Sequence, residues 1–459
     1  MKVGENMVEL KEEVELKLDE LSSLLGKEDT EGFRALFLDM HPYDQAVFFK
    51  EQETKDRLTI YTYLSPKEMS DIMEYIDLEE TEQFITEMDP HFATMVFAEM
   101  AVDDAVDILK ELTKDEVASF FAIMDKKAAD EIKALLHYEE KTAGSIMTTE
   151  FVSILKTQTV KETLKEMKIK APEAETIYYT YVLDENKRLV GVLSLRNLII
   201  AEEDEIIENI MSENVVSVSV GRDQEEVAQM IRDYDFLALP VVDFQNHLLG
   251  IITVDDILDV MEEEASDDYS KFAALVDIDS RDSNPIQSAK KRLPWLIILL
   301  FLGMITASLI GSFEQTLEKV PIVAIFIPLI AGMAGNAGTQ SLAVAVRGIA
   351  VGNYGAEKRI RLILREITTG LFVGGACGIV VVLLIYFWKG NFFLGVLVGI
   401  AILATLTVAT LSGALIPLIM ERLNIDPAVA SGPFITTLND ITSVLIYFGM
   451  ATVFMSLLL

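Results

Sequence analysis

The sequence predicts a multidomain, mainly helical membrane protein. Its parts are an α-helical solenoid-like N-terminal domain, a tandem pair of small α/β domains, a linker helix, and an all-α domain of five membrane spans. Three patterns carry this prediction: a 12-residue repeat from Met40 to Leu135, a longer duplication beginning at Ser145, and five long apolar runs after Lys290. The corresponding boundaries are 1–137, 138–204 and 205–265, 266–293, and 294–459.

Units of the short repeat begin at Met40, Gln52, Leu64, Ile76, Met88, Met100, Leu112 and Met124. Their second position is Ser65, Asp77, Asp89, Thr113 or Asp125 in five of the eight units, and these are residue types whose side chains cap helix N-termini. About nine helix-compatible residues follow in each unit, with apolar positions three or four apart. Short helices stacked in pairs are the expected result.

In the longer duplication, Ser145–Ile154 (SIMTTEFVSI) is echoed by Asn209–Val218 (NIMSENVVSV), and Val182–Gly191 by Val241–Gly250. Each copy reads strand, helix, strand, turn, strand, helix. Asp184-Glu-Asn-Lys187 and Asp243-Phe-Gln-Asn246 are expected hairpin turns. This resembles a tandem pair of CBS domains. Some CBS pairs bind adenosine nucleotides through a Gly-x-x-Thr-x-x-Asp strand end. The second copy has Gly250, Thr253 and Asp256, whereas the first has Gly191, Ser194 and Asn197. A nucleotide such as ATP is therefore expected at one copy at most, through Thr253 and Asp256.

The net charge is -35, but it is not evenly spread. Lys290–Leu459 carries 11 basic and 7 acidic residues, which leaves a net of -39 on Met1–Ala289. Such a soluble part repels nucleic acid and anionic membrane surfaces and attracts cations. One cysteine, Cys377, excludes a disulfide framework, and His41, His91, His137 and His247 are too scattered for a zinc or haem signature. Met1–Gly26 is acidic and lacks an apolar core, so no secretory signal peptide is expected.

Spans are expected at about 293–313, 319–347, 357–387, 391–420 and 427–458, each reaching the roughly 20 residues that cross a bilayer core. Lys290, Lys291, Arg292, Arg347, Lys358, Arg359, Arg361 and Arg365 fall on one side, and Lys319 and Lys389 on the other. The positive-inside rule then puts the N-terminal domains in the cytoplasm and the C-terminus outside, in a multi-pass cell (inner) membrane protein.

Two spans carry polar groups. The second contains Gly332, Gly335 and Gly338 at three-residue spacing with Asn336, Thr339 and Gln340 among them. Small residues allow close helix approach, and polar ones line a pore wall or bond between helices. The fifth holds Thr436, Thr437, Asn439, Asp440, Thr442 and Ser443 within an apolar run of about 32 residues. Asp440 is the only acid after Pro427, and an ionisable group at membrane depth marks an ion path or a structural partner. Thr436, Asp440 and Ser443 share one helix face. One carboxylate among amides and hydroxyls suits a hydrated hard cation such as Mg2+.

Asp255–Asp268 holds eight acids in fourteen residues and no base. If helical, Asp255/Asp259, Asp259/Glu263 and Glu263/Asp267 are like-charge pairs, each destabilising by about 0.2–0.5 kcal/mol. Asp103 and Asp107 form another such pair. A bridging cation reverses that repulsion; a solvated acidic face is the plainer alternative.

These residues resemble the MgtE family of magnesium channels or transporters over nearly the whole chain. The most specific stretches are Gly332–Arg347, Leu438–Ser443 and Asp255–Lys271. The resemblance implies a homodimer in the lipid bilayer with a pore lined by the second and fifth spans. It implies Asp440 as the pore acid with Asn336 nearby, and Gly332, Gly335, Thr339, Gln340, Thr436, Thr437, Asn439 and Ser443 as lining candidates. It also implies cytoplasmic Mg2+ sites that shut the pore. These fall on Asp71, Asp103, Asp107, Asp223, Glu225, Asp235, Asp256, Asp259, Glu264, Asp267 and Asp268. A plug helix is implied too, placed at about Pro285–Leu293. No covalent chemistry is expected, because nucleophile, base and phosphate-loop motifs are missing. The rival reading is a secondary transporter coupling Mg2+, Mn2+ or Co2+ to protons or sodium. Broken helices serve carriers as well, although five spans offer no inverted repeat.

Overall fold

The computed structural model describes residues 16–275, 285–350, 356–423 and 425–455. The polar connecting stretch with Asp277, Asp279 and Asp282 lies outside them, as does most of the acidic N-terminal segment. The chain divides into two compact units, Met1–Val260 and Met261–Leu459.

A helix over residues 16–26 precedes α1 (Thr30–Phe37) in the first unit. The short repeat then becomes α2 (Pro42–Glu51), α3 (Thr54–Tyr63), α4 (Pro66–Met73), α5 (Leu78–Glu87), α6 (Pro90–Glu99), α7 (Val102–Glu111), α8 (Lys114–Ile123) and α9 (Lys126–Leu136). Every helix starts two residues into a unit. Ser65 and Thr113 form reciprocal capping boxes with Glu68 and Glu116, and Asp89 and Asp125 accept from first-turn N–H groups. Asp77 makes no capping bond; its carboxylate pairs with Lys50 Nζ at 2.9 Å. Helices pack on the next but one, α2–α4–α6–α8 in one row and α5–α7–α9 in another. Phe33, Phe37, Phe48, Phe49 and Phe97 are fully buried, each a site where truncation to Ala costs about 3–5 kcal/mol.

The duplication forms two equivalent three-stranded sheets. The first has β1 (Phe151–Leu155), β2 (Thr176–Leu183) and β3 (Leu189–Ser194), with α10 (Val160–Lys170) between β1 and β2 and α11 (Leu195–Ile200) after β3. The second has α12 (Ile207–Ile210), β4 (Val218–Ser219), α13 (Gln224–Tyr234), β5 (Ala238–Val242) and β6 (Leu248–Thr253). In each, the first strand runs parallel to the second and the second antiparallel to the third. The expected hairpin turns are present. Asp184 accepts from the N–H of Asn186 and Arg188, and Asp243 from those of Gln245 and His247.

The two copies interlock. Thr148, ahead of β1, pairs with Ile251 of β6, and Ser212, ahead of β4, pairs with Val192 of β3. This crossing explains the duplicated glycine. A Cβ on Gly250 would lie 2.6 Å from the Thr148 carbonyl oxygen, and one on Gly191 2.4 Å from Met211 Sδ. Gly250 is thus required by packing, whatever the pair binds.

The chain leaves the second copy through α14 (Val254–Phe272), which passes the expected boundary at 265. Its residues to Val260 belong to the first unit and the rest to the second. In the second unit, α15 runs from Pro285 to Gly311 without a break. The stretch Pro285–Leu293, expected as a separate plug helix, is therefore the start of the first span.

The remaining elements are α16 (Glu314–Lys319), a 3-10 turn at Pro321–Phe326, α17 (Ile327–Ala350), α18 (Ala356–Lys389), α19 (Phe392–Arg422) and α20 (Gly432–Val453). Among the described residues five helices are long and apolar enough to cross a membrane: Ser288–Gly311, Pro321–Ile349, Arg359–Lys389, Phe392–Arg422 and Gly432–Val453. α19 is the central one, in contact with α17, α18 and α20. Its backbone meets α17 where Gly413 faces Gly338: a Cβ on Gly413 would lie 2.3 Å from the Gly338 carbonyl oxygen. Such contact is the usual basis of helix association in lipid.

Candidate ion pathway and acidic cluster

α17 has two unlike faces. Ala334, Gly335, Ala337, Gly338 and Ser341 are buried against the protein, whereas Gly332, Asn336 and Gln340, four residues apart, are exposed. A spanning helix that exposes two carboxamides at membrane depth is costly unless water or protein covers them. Beside this face, Thr339 Oγ1 donates to the Gly335 carbonyl at 2.9 Å and lies 3.3 Å from Thr436 Oγ1 on α20.

On α20, the hydroxyls of Thr436 and Thr437 donate to the carbonyls of Gly432 and Pro433, each at 2.9 Å. Their protons are used within the helix, so their oxygen lone pairs face outward as acceptors. Asp440 is half-buried. The structure turns two lining candidates inward. Asn439 is fully buried and accepts from Ser412 Oγ of α19 at 2.7 Å, because one helix position rotates it about 100° from Asp440. Ser443 is 1% exposed and donates to the Asp440 carbonyl. Thr436 and Asp440 therefore share the accessible face, and Ser443 does not.

The end of α14 reaches these helices. A cavity of about 560 Å3 is lined by Tyr269 and Phe272 of α14, Leu299 of α15, Thr339 of α17, and Thr436 and Thr437 of α20. Phe272 packs with Leu342, Ala430 and Ile435. Lys271 Nζ sits 2.9 Å from Asp267 and 2.5 Å from Asp426. Asp268 is pushed above the usual carboxylate range by burial and by Asp426. The end of α14 thus shares this cavity with the threonine hydroxyls of α17 and α20.

The acidic residues of the first unit gather unevenly. Asp103 is buried, and its Oδ1 has no hydrogen-bond partner. Burial, then the charges of Asp104 and Asp256, push its carboxyl well above the ordinary range. Asp104 is pushed up to about 8 by burial, Glu74 and Asp256, and Glu175 to about 7 by burial, Asp256 and Asp255. Asp107 and Asp256 are raised by burial too, although Asp107 gains Lys110 at 2.7 Å and Asp256 accepts from Thr253 N at 3.2 Å and from its hydroxyl.

Of the residues that the resemblance implies as sensors, Asp103 and Asp256 act on each other's charge, and Asp107 acts on that of Asp104. Asp104 lies on α7, whereas Glu74 sits in the turn after α4 and Glu175 just ahead of β2, and nothing in their spacing links them. Other expected sensor residues have local work. Asp71 pairs with Lys67 at 3.0 Å, Asp223 caps α13, Glu225 lies exposed in its first turn, and Asp235 ends it in a left-handed conformation at φ 54°. Asp259 is exposed and Glu264 half-buried on α14.

Among the described residues, no three Asp, Glu, His or Cys side chains converge as one direct coordination shell. The acids around Asp103 suit an ion that keeps most of its water. Mg2+ dehydrates reluctantly, and its waters would donate to an orphaned carboxylate oxygen.

Residues 327–450 match the family described as divalent cation transporter, 40–141 the MgtE intracellular N domain, and 143–204 and 207–263 the CBS domain. The chain is 52% identical to the magnesium transporter MgtE of Enterococcus faecalis, covering 97% of this chain and 98% of that one. Its fold is similar to the crystal structure of the soluble part of a magnesium transporter, with TM-score 0.54 and 49% identity over 55% of this chain and 99% of that one. It is also similar to the cytosolic domain of the Mg2+ channel MgtE in complex with ATP, with TM-score 0.51 and 36% identity over 53% and 99% of the two chains.

Proposed function

We propose that this chain, which belongs to the MgtE family of divalent cation transporters, is a homodimeric channel that admits Mg2+ and is shut by cytoplasmic Mg2+. One observation carries the reading. α17 and α20 adjoin through Thr339 and Thr436, and there the membrane domain presents Gly332, Asn336, Gln340 and Asp440 on accessible faces. A second copy of the chain covers these groups and encloses a water-filled path between the copies. Asp440 attracts the cation. Carboxamides, threonine oxygens and helix carbonyls hold its water shell, so the ion sheds little of it.

Gating follows from charge. Without a cation the acids around Asp103 repel one another across the N-terminal and CBS domains. Mg2+ binding there favours the closed arrangement, in which the end of α14 bounds the cavity beside Thr339 and Thr436. The loop charges orient the N-terminal domains to the cytoplasm and the C-terminus outside.

ATP at the second CBS copy is an additional reading, supported by the nucleotide-bound relative and by Thr253 and Asp256. Asp256 already bonds Thr253, so a ribose would have to displace that bond. The rival secondary transporter is separated by current recording: purified protein in a planar bilayer should show unitary Mg2+ openings. Flux that saturates with a fixed stoichiometry of protons or sodium would sink the channel reading.

A further inference from the structure

The third span hides a carboxylate that the pathway does not use. Glu366 of α18 is 6% exposed, seven residues after Arg359 and so about 10 Å into the span. Its Oε2 lies 3.0 Å from Ser341 Oγ on α17. Ser341 Oγ is also 2.7 Å from the Thr410 carbonyl on α19, and Thr410 Oγ1 is 3.1 Å from the Glu366 carbonyl. Ser341 and Thr410 are buried as well. One polar knot therefore joins three helices. Arg365 Nε lies 3.4 Å from Glu366 Oε1.

We propose that Glu366 is a positioning residue: through Ser341 it fixes the rotation of α17 about its own axis, and so decides which of its side chains face the ion path. Ser341 follows Gln340 directly, about 100° round the helix. The close approach of Gly338 to Gly413 and the burial of Leu342 bring α17 against its neighbours, and the bond between Ser341 and Glu366 adds a polar hold on that same buried side. The hydrogen bond to Glu366 is directional, and a turned helix leaves a buried carboxylate without its hydroxyl. The partner pore helix is held alike, since Ser412 Oγ, two positions beyond Thr410 on α19, donates to Asn439 of α20 at 2.7 Å. α19 with Glu366 thus sets the phase of both lining helices.

The consequence for transport rests on the pathway proposed above, whereas the rotation itself does not. The test therefore reads both. In a full-length Cys377→Ala background, Asn336→Cys and Ala337→Cys are labelled separately with a charged methanethiosulfonate in proteoliposomes. The parent should label about tenfold faster at 336 than at 337. Ser341→Ala or Glu366→Ala should cut that ratio to about twofold, the equivalent of about 1 kcal/mol of lost directional bonding.

Glu366→Gln keeps a carbonyl acceptor for the serine and should keep the parental ratio and the Mg2+ flux. Ser341→Ala removes only a hydroxyl, so it remains decisive if Glu366→Ala fails to assemble. An unchanged ratio in Ser341→Ala, or a Gln variant that behaves like Ala, overturns the proposal. A shifted ratio with unchanged flux supports the clamp and overturns the pathway reading instead.

Discussion

Lys271 Nζ lies 2.5 Å from Asp426 Oδ2 and so ties the last turn of α14 to the turn that precedes α20. The same ammonium holds Asp267 at 2.9 Å, and Asp268 stands near enough to Asp426 for their charges to repel. Lys271 is therefore the counter-ion of an otherwise acidic contact. Replacing it by Met removes the attraction and leaves the repulsion. The pair is about a third exposed, so the effect is modest, on the order of 1 kcal/mol or less. The Mg2+ concentration for half-inhibition of current should rise by about two- to fivefold. Inhibition at the parental concentration would mean that α14 is held by Phe272 packing alone.

Asp440→Ala should abolish or strongly reduce Mg2+ flux in liposomes, with the protein still eluting as the parental assembly. Asp440 is half-buried on the same face as Thr436, and its backbone carbonyl accepts from Ser443 Oγ. Parental uptake by the variant would remove it from the ion path.

Asp103→Asn should act in the direction opposite to a simple loss of ligand. Its carboxyl is buried with one oxygen unpaired, and an amide there removes the cost of ionising it beside Asp104 and Asp256. The closed arrangement then needs less Mg2+. In chelator, the variant should resist limited proteolysis better than the parent, and the channel should shut at lower Mg2+. Cleavage in chelator faster than the parent's would contradict the repulsion, and loss of Mg2+ inhibition would show that Asp103 is an indispensable ligand.

The pH dependence has a definite sign. Asp104 and Glu175 titrate near about 8 and about 7 in the folded protein, above their ordinary values of 3.8 and 4.5. The fold binds more protons than the unfolded chain between those limits, so their contribution is complete below about pH 4 and is lost as pH rises through 7 and 8. In chelator, the urea midpoint of the soluble portion should fall between pH 6 and 9, and saturating Mg2+ should flatten the fall. Sodium chloride at matched ionic strength should flatten it less, because screening supplies no ligand. A midpoint that rises over this range would contradict the cluster.

Gly338→Ala should impair assembly of the membrane domain, since its Cβ would lie 2.0 Å from Asn439 Nδ2. Gly332→Ala, at a position with open space, should assemble normally. Equal detergent stability of the two variants would show that α17 and α20 pack more loosely than this.

What the sequence disclosed follows from how local each signal is. The eight repeat helices were legible because Ser65, Thr113, Asp89 and Asp125 act on N–H groups two or three residues away. The paired sheets were legible because Asp184 and Asp243 close equivalent turns. Asp104 and Glu175 were not, since their meeting depends on tertiary packing. Nor was the division between Asp440 and Asn439, because both are polar neighbours and only the position of α19 decides which one is enclosed. α14 escaped for a different reason. Its like-charge pairs argue against a long helix, yet it continues to Phe272, where Lys271 and the apolar contacts of Phe272 anchor its end.

The crossing of Thr148 to Ile251 and of Ser212 to Val192 bears on how the chain is made. Thr148 waits for a partner about a hundred residues downstream, and β3 waits for Ser212. A nascent chain that ends after the first copy leaves both bridging positions empty and the close contacts of Gly191 unmade. The pair therefore matures as one late cooperative event, after β6 has emerged from the ribosome and just before the first span follows it. Truncations between 205 and 250 should be cleared by proteases rather than accumulate as half-sized domains.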